Sequence, residues 1–504
     1  MPRGLMAAFD IGTTAAKGVL IDRDHGIVHE GTQEYGIAHH AGGLVEQEPR
    51  DWWGAVETLT HAFWRAGWKP HSVEAVALTG QMQDVVVVDR EGRALGPAIL
   101  YSDARAVDQA AAMRARLRER GVTDDEVSFI DGMDPIAKLV WLREHEPRRL
   151  QECAGVLFNA KDYVLGRLTG IRATDATTAA TACLFSLRTR AWRTEWSDAL
   201  CLPPQWLPPI LAADVIAGRV SRDGARATGL MAGTPVYEGM GDAAAATLSA
   251  GVTAPGDAYM YLGATGWAAS LARAIGPGAQ EGVRHLPAVT GDDLIRIAPV
   301  LNAGGVHQWI VRLLDGEEHA RVAGAPIDYE RFERLLENTP ERSEGAVFLP
   351  YLYGERCPVY EPRAMGAFVH LGAGMSRGAL GWAVLEGICF SLRQVLETLG
   401  ASTPTIPVLG GMARSPLVRQ LIADICGVGV RVATAPGAAG ALAAAVPAMV
   451  ARGWFTDIPT AVETWFGPEV TGPPEVAPAP SRMAQYATLY RTYQQVYPLV
   501  ARIG

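Results

Sequence analysis

An α/β fold is what this sequence predicts, on three observations. Short apolar runs of strand character alternate with longer stretches of helical periodicity. Two strand-like runs, ending at Asp10 and at Leu262, each open into a Gly/Thr turn: Gly12-Thr13-Thr14 and Gly263-Ala264-Thr265-Gly266, about 250 residues apart. A third run, residues 406–409, passes through Gly410-Gly411 into a helix that Ser415 can cap. Alone, a Gly/Thr turn is more often a plain hairpin. As a pair, each opening a half, the two predict related halves with phosphate-gripping loops facing across a cleft.

Residues 5–10 are apolar, the Gly/Thr turn follows, and residues 18–21 are apolar again, the pattern of a hairpin. Residues 73–78 and 85–89 are further strands. Residues 109–120 are rich in Ala and Arg and stop at Gly121, a helix with a glycine just past its end. Residues 235–238 read as a strand and 243–250 as a helix, with Gly239-Met240-Gly241-Asp242 between them. Ser376 opens a long helix in which Leu380, Val384, Ile388, Leu392, Val395 and Leu399 recur at helical spacing, and Gly400 ends it. Ser415-Pro416 is an N-cap followed by proline in the first turn, and that helix stops at Gly427. Proline-rich stretches fall at 202–209 and 467–480, the second expected to be a linker. Beyond it Ser481 is expected to cap a terminal helix. Its Met483, Tyr486, Tyr490, Tyr493 and Tyr497 make one stripe suited to packing on its own domain.

The chain has 504 residues, room for two or three domains. Its net charge of −9 argues against nucleic acid as a partner. Apolar residues at 49% and charged residues at 20% describe a chain able to bury large cores rather than a disordered one. None of the six cysteines forms a CxxC pair, so zinc and thiol-redox motifs are not indicated, and free thiols in a reducing compartment are expected. The first apolar run is too short for a signal peptide. The most apolar later stretch, 440–450, carries Pro447 and falls far short of the ~20 residues of a membrane span. A cytoplasmic protein with no membrane partner is expected, and a homodimer is compatible with the sequence. Glycine, 55 residues, is in excess, which predicts many positions of positive φ or close approach.

Gly12 to Lys17 is not a P-loop, because Ala16 stands where the second glycine belongs. Gly239-Met240-Gly241-Asp242-Ala243-Ala244 fits a dinucleotide fingerprint, yet no acidic residue follows about twenty positions on, and an aspartate inside the turn would repel a pyrophosphate. Asp242 is better suited to taking the proton of an attacking hydroxyl, with a plain helix cap as the alternative. Asp10, ending the first strand, can hold Mg²⁺ through water or merely cap its turn. Lys17 can neutralise phosphate or simply be exposed. Gly410-Gly411 allows a ring or phosphate to approach the backbone at a positive helix end, or is a tight turn.

In order along the chain, these residues resemble the FGGY carbohydrate kinases, relatives of actin and the 70-kilodalton heat-shock ATPases, over nearly the whole length. The resemblance rests on Asp10 to Thr14 with Lys17; Val45-Glu46-Gln47-Glu48-Pro49 with Trp52-Trp53; Thr79-Gly80-Gln81-Met82; Tyr101-Ser102-Asp103-Ala104-Arg105; Ala160-Lys161-Asp162-Tyr163; Gly239 to Asp242; Leu262 to Gly266; Ala303-Gly304-Gly305 with Gln308-Trp309; Gly354-Glu355-Arg356-Cys357-Pro358; and Gly410-Gly411 with Ser415. It implies two ribonuclease-H-like (actin-like ATPase) domains with a deep interdomain cleft. Residues 1–246 would form the sugar-binding domain. Residues 247–504 would form the nucleotide-binding domain, with the linker 467–480 and the helix 481–504. It implies ATP and Mg²⁺, with Asp242 as the base and Asp10 on the metal. Gln81, Met82, Gln83, Asp103 and Asp242 would contact the sugar. Gly12, Thr13, Thr14, Lys17, Gly263, Ala264, Thr265, Gly266, Gly304, Gln308, Gly410, Gly411, Met412 and Ser415 would contact the nucleotide.

The stretch around Val45 and Trp52-Trp53 resembles the xylulose-phosphorylating branch, which implies conversion of D-xylulose to D-xylulose 5-phosphate. That branch usually has Gln-Met-His where this chain has Gln81-Met82-Gln83, and Trp where it has Tyr101. Met412 stands where a third glycine is common, and the family's later Glu before an Ala-Leu-Gly-Ala-Ala run is absent from residues 437–443. Another ketose, a sugar acid or a polyol are the substrate alternatives. An actin- or chaperone-like ATPase working through partners would have no reason to carry Gly80-Gln81-Met82.

Overall fold

The computed structural model describes residues 4–40, 43–123, 130–275, 282–315, 327–361, 363–401, 403–432, 437–470 and 474–501. The chain forms two compact units, Met1–Ser249 with Leu286–Leu294 and Ala435–Trp465, and Ala250–His285 with Ile295–Thr434 and Phe466–Gly504. The change of unit at Ser249 lies three residues past the division at 246. The second stretch is also not contiguous, because Ala435–Trp465 returns to the first unit. The helix Ala439–Ala451 is the reason. It is apolar on every face and buried along nearly its whole length, a pattern that demands a core on all sides. It finds that core against the strands Leu5–Ile11 and Val73–Gly80 and the helix Asp242–Ser249.

Both units are built on the same sheet. In the first, Leu5–Ile11, Ala15–Asp22 and Gly26–Glu34 form an antiparallel meander. Val73–Gly80 then joins parallel to the first strand, and Pro235–Tyr237 parallel to Val73–Gly80. In the second, Ala258–Leu262 pairs antiparallel with Gly266–Ala272, Leu294–Val300 lies beyond, and Thr405–Leu409 and Gly429–Val432 add parallel on the other side. Counting only the five strands named in each unit, both sheets run third, second, first, fourth, fifth; Ile216–Arg219 adds at the edge of the first and Arg284–Pro287 at the edge of the second. The two halves expected from the paired Gly/Thr turns are therefore present as a repeated ribonuclease-H-like sheet, the actin-like ATPase fold.

The local signals are obeyed where they are strongest. Ser376 caps Arg377–Leu399 by accepting from the Ala379 N–H, and Gly400 ends the helix in the left-handed region. Ser415 caps Pro416–Cys426, and Gly427 ends it in the same way. The terminal helix differs. It spans Pro480–Val500 with Ala479 at its cap, so Ser481 is not the cap; proline's fixed φ suits the first helical position. Tyr486, Tyr490 and Tyr493 are buried in the core of the second unit, as the stripe predicted. The helix Ile458–Val470 extends into the stretch 467–480 expected to be linker. Residues 471–473 of that stretch, and 502–504 of the terminal helix, lie outside the described residues. Arg377–Leu399 is long and apolar enough to cross a membrane, but 83% of its most apolar window is buried inside its own unit, as befits a core helix.

Candidate active site

Three parallel strands of the first unit end side by side. Ile11 pairs with Gly80 and Gly80 with Gly241, so Asp10 and Asp242 are carried to one edge of the sheet. That edge is at the carboxyl ends of the strands, where α/β sheets bind ligands. Lys17 sits across from Asp10 on one side and Thr79 on the other. The glycines before Asp242 are explained by close approach. Gly239 has φ 71°, and a Cβ there would stand 1.8 Å from the Leu78 carbonyl oxygen. A Cβ on Gly241 would stand 1.9 Å from Met82 Sδ. Met240–Gly241 is a short strand paired to Val73–Gly80. The turn is thus a seat for an aspartate flush against the sheet, not a dinucleotide loop.

Asp242 is open to solvent, yet protein crowds it on its other sides. Desolvation, with the charge of Asp10 next, pushes its pKa up to about 7. Solvent access on one side tempers such a shift but does not reverse its direction. A carboxyl poised there can take a hydroxyl proton at neutral pH. Asp10 is raised too, by desolvation, with Lys17 pulling it back. Among the described residues nothing donates a hydrogen bond to its carboxylate. Two crowded carboxylates, one with unspent oxygens, suit a hard divalent cation held through oxygen, so these residues fit Mg²⁺. The first Gly/Thr turn closes through Gly12 N–H to the Ala15 carbonyl at 3.1 Å. Tyr35 Oη donates to the Gly12 carbonyl, and Gln47 Nε2 donates to the Thr13 carbonyl at 2.6 Å. Sequence reasoning said nothing of Tyr35 and quoted Gln47 only within the stretch 45–49, without a role; these bonds are long-range and no local spacing announces them.

The expected sugar contacts divide. Gln83 is partly exposed, with φ 64°, and its Nε2 donates to Asp134 Oδ1 at 3.3 Å. Gln81 and Met82 are buried; Gln81 Nε2 donates to Gln47 Oε1 at 2.9 Å. Asp103 is wholly buried. Its oxygens accept from the Val45 N–H at 2.6 Å and from Arg105, whose Nη2 lies 2.7 Å from both Asp103 and Glu46. Asp103 therefore anchors the segment rather than facing solvent. Tyr101 is 39% exposed; partial burial pushes its hydroxyl pKa up and the Thr13 side chain pulls it back.

The second unit repeats the arrangement. Tyr261 pairs with Leu409, so the turn at Gly263 and the Gly410-Gly411 turn leave the sheet at one edge. Gly304 N–H donates to the Gly263 carbonyl at 3.0 Å and Gly305 N–H to the Ala264 carbonyl at 2.8 Å, stitching the two expected phosphate segments together. Only glycine fits at 304, since a Cβ would lie 2.3 Å from the Gly263 oxygen. Ala264, Thr265 and Gln308 are exposed beside this seam. Buried Glu355 fixes the chain entering it, accepting from the Leu301 N–H at 2.9 Å and from Asn302 Nδ2 at 3.2 Å. Gly410 has φ 98° and nestles against Leu262, whereas a Cβ on Gly411 would meet nothing within 4 Å. Ser415 Oγ is shared between the Val418 N–H and Glu333. Met412 is buried in the core, so the side chain that departs from the usual glycine is turned inward.

Two family models match the chain. That of the FGGY family of carbohydrate kinases, N-terminal domain, covers residues 5–249, and that of the C-terminal domain covers residues 295–452. A curated relative, the xylulose kinase of Bacillus subtilis (strain 168), is 26% identical over 496 residues, covering 97% of this chain and 95% of that protein. Among solved structures, xylulose kinase from Rhodospirillum rubrum superposes with a TM-score of 0.86 at 25% identity, covering 99% of each chain. Gluconate kinase from Lactobacillus acidophilus gives a TM-score of 0.86 at 24% identity, covering 99% of this chain and 98% of that one, a likeness of fold.

Proposed function

This chain belongs to the FGGY family of carbohydrate kinases, and from that premise we propose that it transfers the γ-phosphoryl group of ATP to the 5-hydroxyl of D-xylulose. It is a carbohydrate kinase; the pentulose is the finer reading. The observation that carries it is the strand register that brings Asp10 and Asp242 to one sheet edge, with the Asp242 carboxyl near neutrality. Asp242 takes the proton of the sugar hydroxyl as its oxygen attacks phosphorus, and proton and phosphoryl movement balance without a further reactant. The Gly12–Thr14 turn, Lys17, the Gly263–Gly266 turn, Gly304 and Gln308 hold phosphates. The Gly410-Gly411 turn with Ser415 takes the adenosine. Phosphoryl transfer is dominated by positioning and charge, which is why rigid backbone turns suit it. Asp10 would hold Mg²⁺, which when bound neutralises charge on the nucleotide phosphates.

The curated likeness to a xylulose kinase along the full chain supports the pentulose. Gln83 departs from the His usual in the xylulose-phosphorylating branch; it keeps a hydrogen-bond donor and acceptor but loses the titratable ring. ADP release measured with ATP, Mg²⁺ and D-xylulose, D-ribulose, gluconate or glycerol tests the reading. D-Xylulose is expected to give the highest kcat/KM. No acceptor-dependent turnover on any of them would sink the kinase itself, and preference for another acceptor would sink only the pentulose. Asp242→Asn is expected to lose about 10²–10⁴-fold in kcat, the range of general-base contributions. Stabilisation of the variant by Mg²⁺-ATP in a thermal shift should persist.

A further inference from the structure

Lys161 lies wholly inside the first unit, where a lone ammonium is costly. Its Nζ stands 2.7 Å from Asp162, 2.6 Å from Glu238 and 3.2 Å from Asp175. The ammonium thus fills the place among three buried carboxylates that a metal ion would take, so the cluster is a closed ionic knot. What it ties together is informative. Glu238 is the residue that enters the Gly239-Met240-Gly241-Asp242 turn. Asp175 caps the helix Ala176–Thr181 by accepting from the Thr178 N–H, and its other oxygen accepts from Thr178 Oγ1 at 2.6 Å. Thr178 Oγ1 in turn accepts from Asn159 Nδ2 at 3.1 Å, and it lies 3.1 Å from where a Cβ on Gly241 would stand. Asn159 also donates to the Gly80 carbonyl at 3.0 Å, at the end of the strand that pairs with Gly241. Glu238, at one end of the turn, is therefore held directly by the network centred on Lys161, and Gly241, at the other end, through its pairing with Gly80.

We propose that Lys161 is a positioning residue for Asp242. Its ammonium joins Glu238 to Asp175 and so fixes where the turn presents the carboxylate. This rests on Asp242 being the proton acceptor. Lys161 sits behind the turn and acts on the transferred proton only through the geometry of Asp242. Burial, with the neighbouring carboxylates adding to it and Lys161 pulling back, raises Glu238 and Asp162 above the usual carboxylate range; three carboxylates around one ammonium leave excess negative charge. The knot therefore tolerates losing one carboxylate far better than losing the ammonium.

The test compares Lys161→Met, Lys161→Arg and Glu238→Gln with the unsubstituted chain, reading kcat, the KM of ATP and of D-xylulose, and thermal unfolding. Lys161→Met is expected to lower kcat about 100-fold, the size of effect that an ångström of misplacement can produce, with both KM values within about twofold. Lys161→Arg, which keeps the cation, should recover at least tenfold of that loss. Glu238→Gln keeps an acceptor for Lys161 and removes surplus charge. It should fold as well as the parent yet lose about tenfold in kcat, because the tie to the turn becomes an ordinary hydrogen bond. If Lys161→Met does not fold, Glu238→Gln decides alone. A folded Glu238→Gln with kcat within twofold of the parent would overturn the proposal, as would a loss of thermal stability unaccompanied by any change in kcat. If Asp242→Asn itself retained turnover, the base assignment would have failed instead, a result the Lys161 variants cannot mimic.

Discussion

Gly440 should be intolerant of a single methyl group, and for a reason that concerns chemistry rather than folding. It lies in the first turn of the returning helix Ala439–Ala451, against the edge that carries Asp10. A Cβ built there would stand 2.3 Å from Asp10 Oδ2 and 2.9 Å from its Cγ. Ordinary carbon–oxygen contact needs more than 3 Å, so either the carboxylate swings aside by on the order of an ångström or the helix retreats. Moving a short side chain costs about 1–3 kcal/mol, the usual range for overpacking. Alanine also gains about 1 kcal/mol of helix propensity over glycine, so net stability should change little. Function should not escape. Displacing a charged group by an ångström can cost about 10²-fold, and Asp10 is the residue proposed to hold Mg²⁺. Gly440→Ala is expected to lower kcat by at least about tenfold, equivalent to about 1.4 kcal/mol at the transition state, and to raise the Mg²⁺ concentration for half-maximal rate. Gly437→Ala is the control, because a Cβ at 437 would meet nothing within 4 Å. Steady-state rates over a Mg²⁺ series, with unfolding curves, make the comparison. Turnover of Gly440→Ala within twofold of Gly437→Ala would refute the argument that Asp10 must stay where it is.

Because Asp242 must be ionised to accept a proton and its pKa is raised to about 7, activity should climb with pH through neutrality. Well below that pKa, kcat/KM should fall about tenfold per pH unit; a limb near pH 4 would show that Asp242 is not held up. Gly304→Ala would drive a Cβ into the Gly263 carbonyl. It is expected to raise the KM of ATP about tenfold or to destabilise the chain by about 1–3 kcal/mol, read by kinetics and thermal unfolding; an unchanged variant would mean that the seam between the two segments is not needed. Gln83→His keeps a residue that accepts φ 64°, since His is enriched in the left-handed region. It should improve kcat/KM for D-xylulose, and indifference would place position 83 outside the sugar's reach.

Much of the architecture was legible in local pattern. The caps at Ser376 and Ser415 and the left-handed stops at Gly400 and Gly427 depend on a few neighbouring residues, so a linear string carries them. The tyrosine stripe of the terminal helix was equally local. The return of Ala439–Ala451 to the first unit was not. A helix apolar on every face says that it must be buried, but not in which of two cores. Nor did the spacing of Asp103 and Arg105 reveal that the pair faces inward, since both lie near residues expected to meet solvent. The Gly-x-Gly before Asp242 suited two incompatible readings. The sequence already disfavoured the dinucleotide one, and the pairing of Met240–Gly241 with Val73–Gly80 agrees with that.

By itself the sequence determined the α/β class, the two repeated halves and the family, because turns, caps and ordered motifs are short-range and survive as strings. Tertiary structure alone decided what surrounds each functional side chain. Asp10 meets Gly440 across some 430 residues of sequence, and Lys161 binds Glu238 across 77. Such contacts are set by how strands register and helices dock, and no spacing rule records them. The raised pKa of Asp242 has the same origin. A carboxyl's charge state depends on the water it has lost and the charges brought near it, and both are properties of the folded chain.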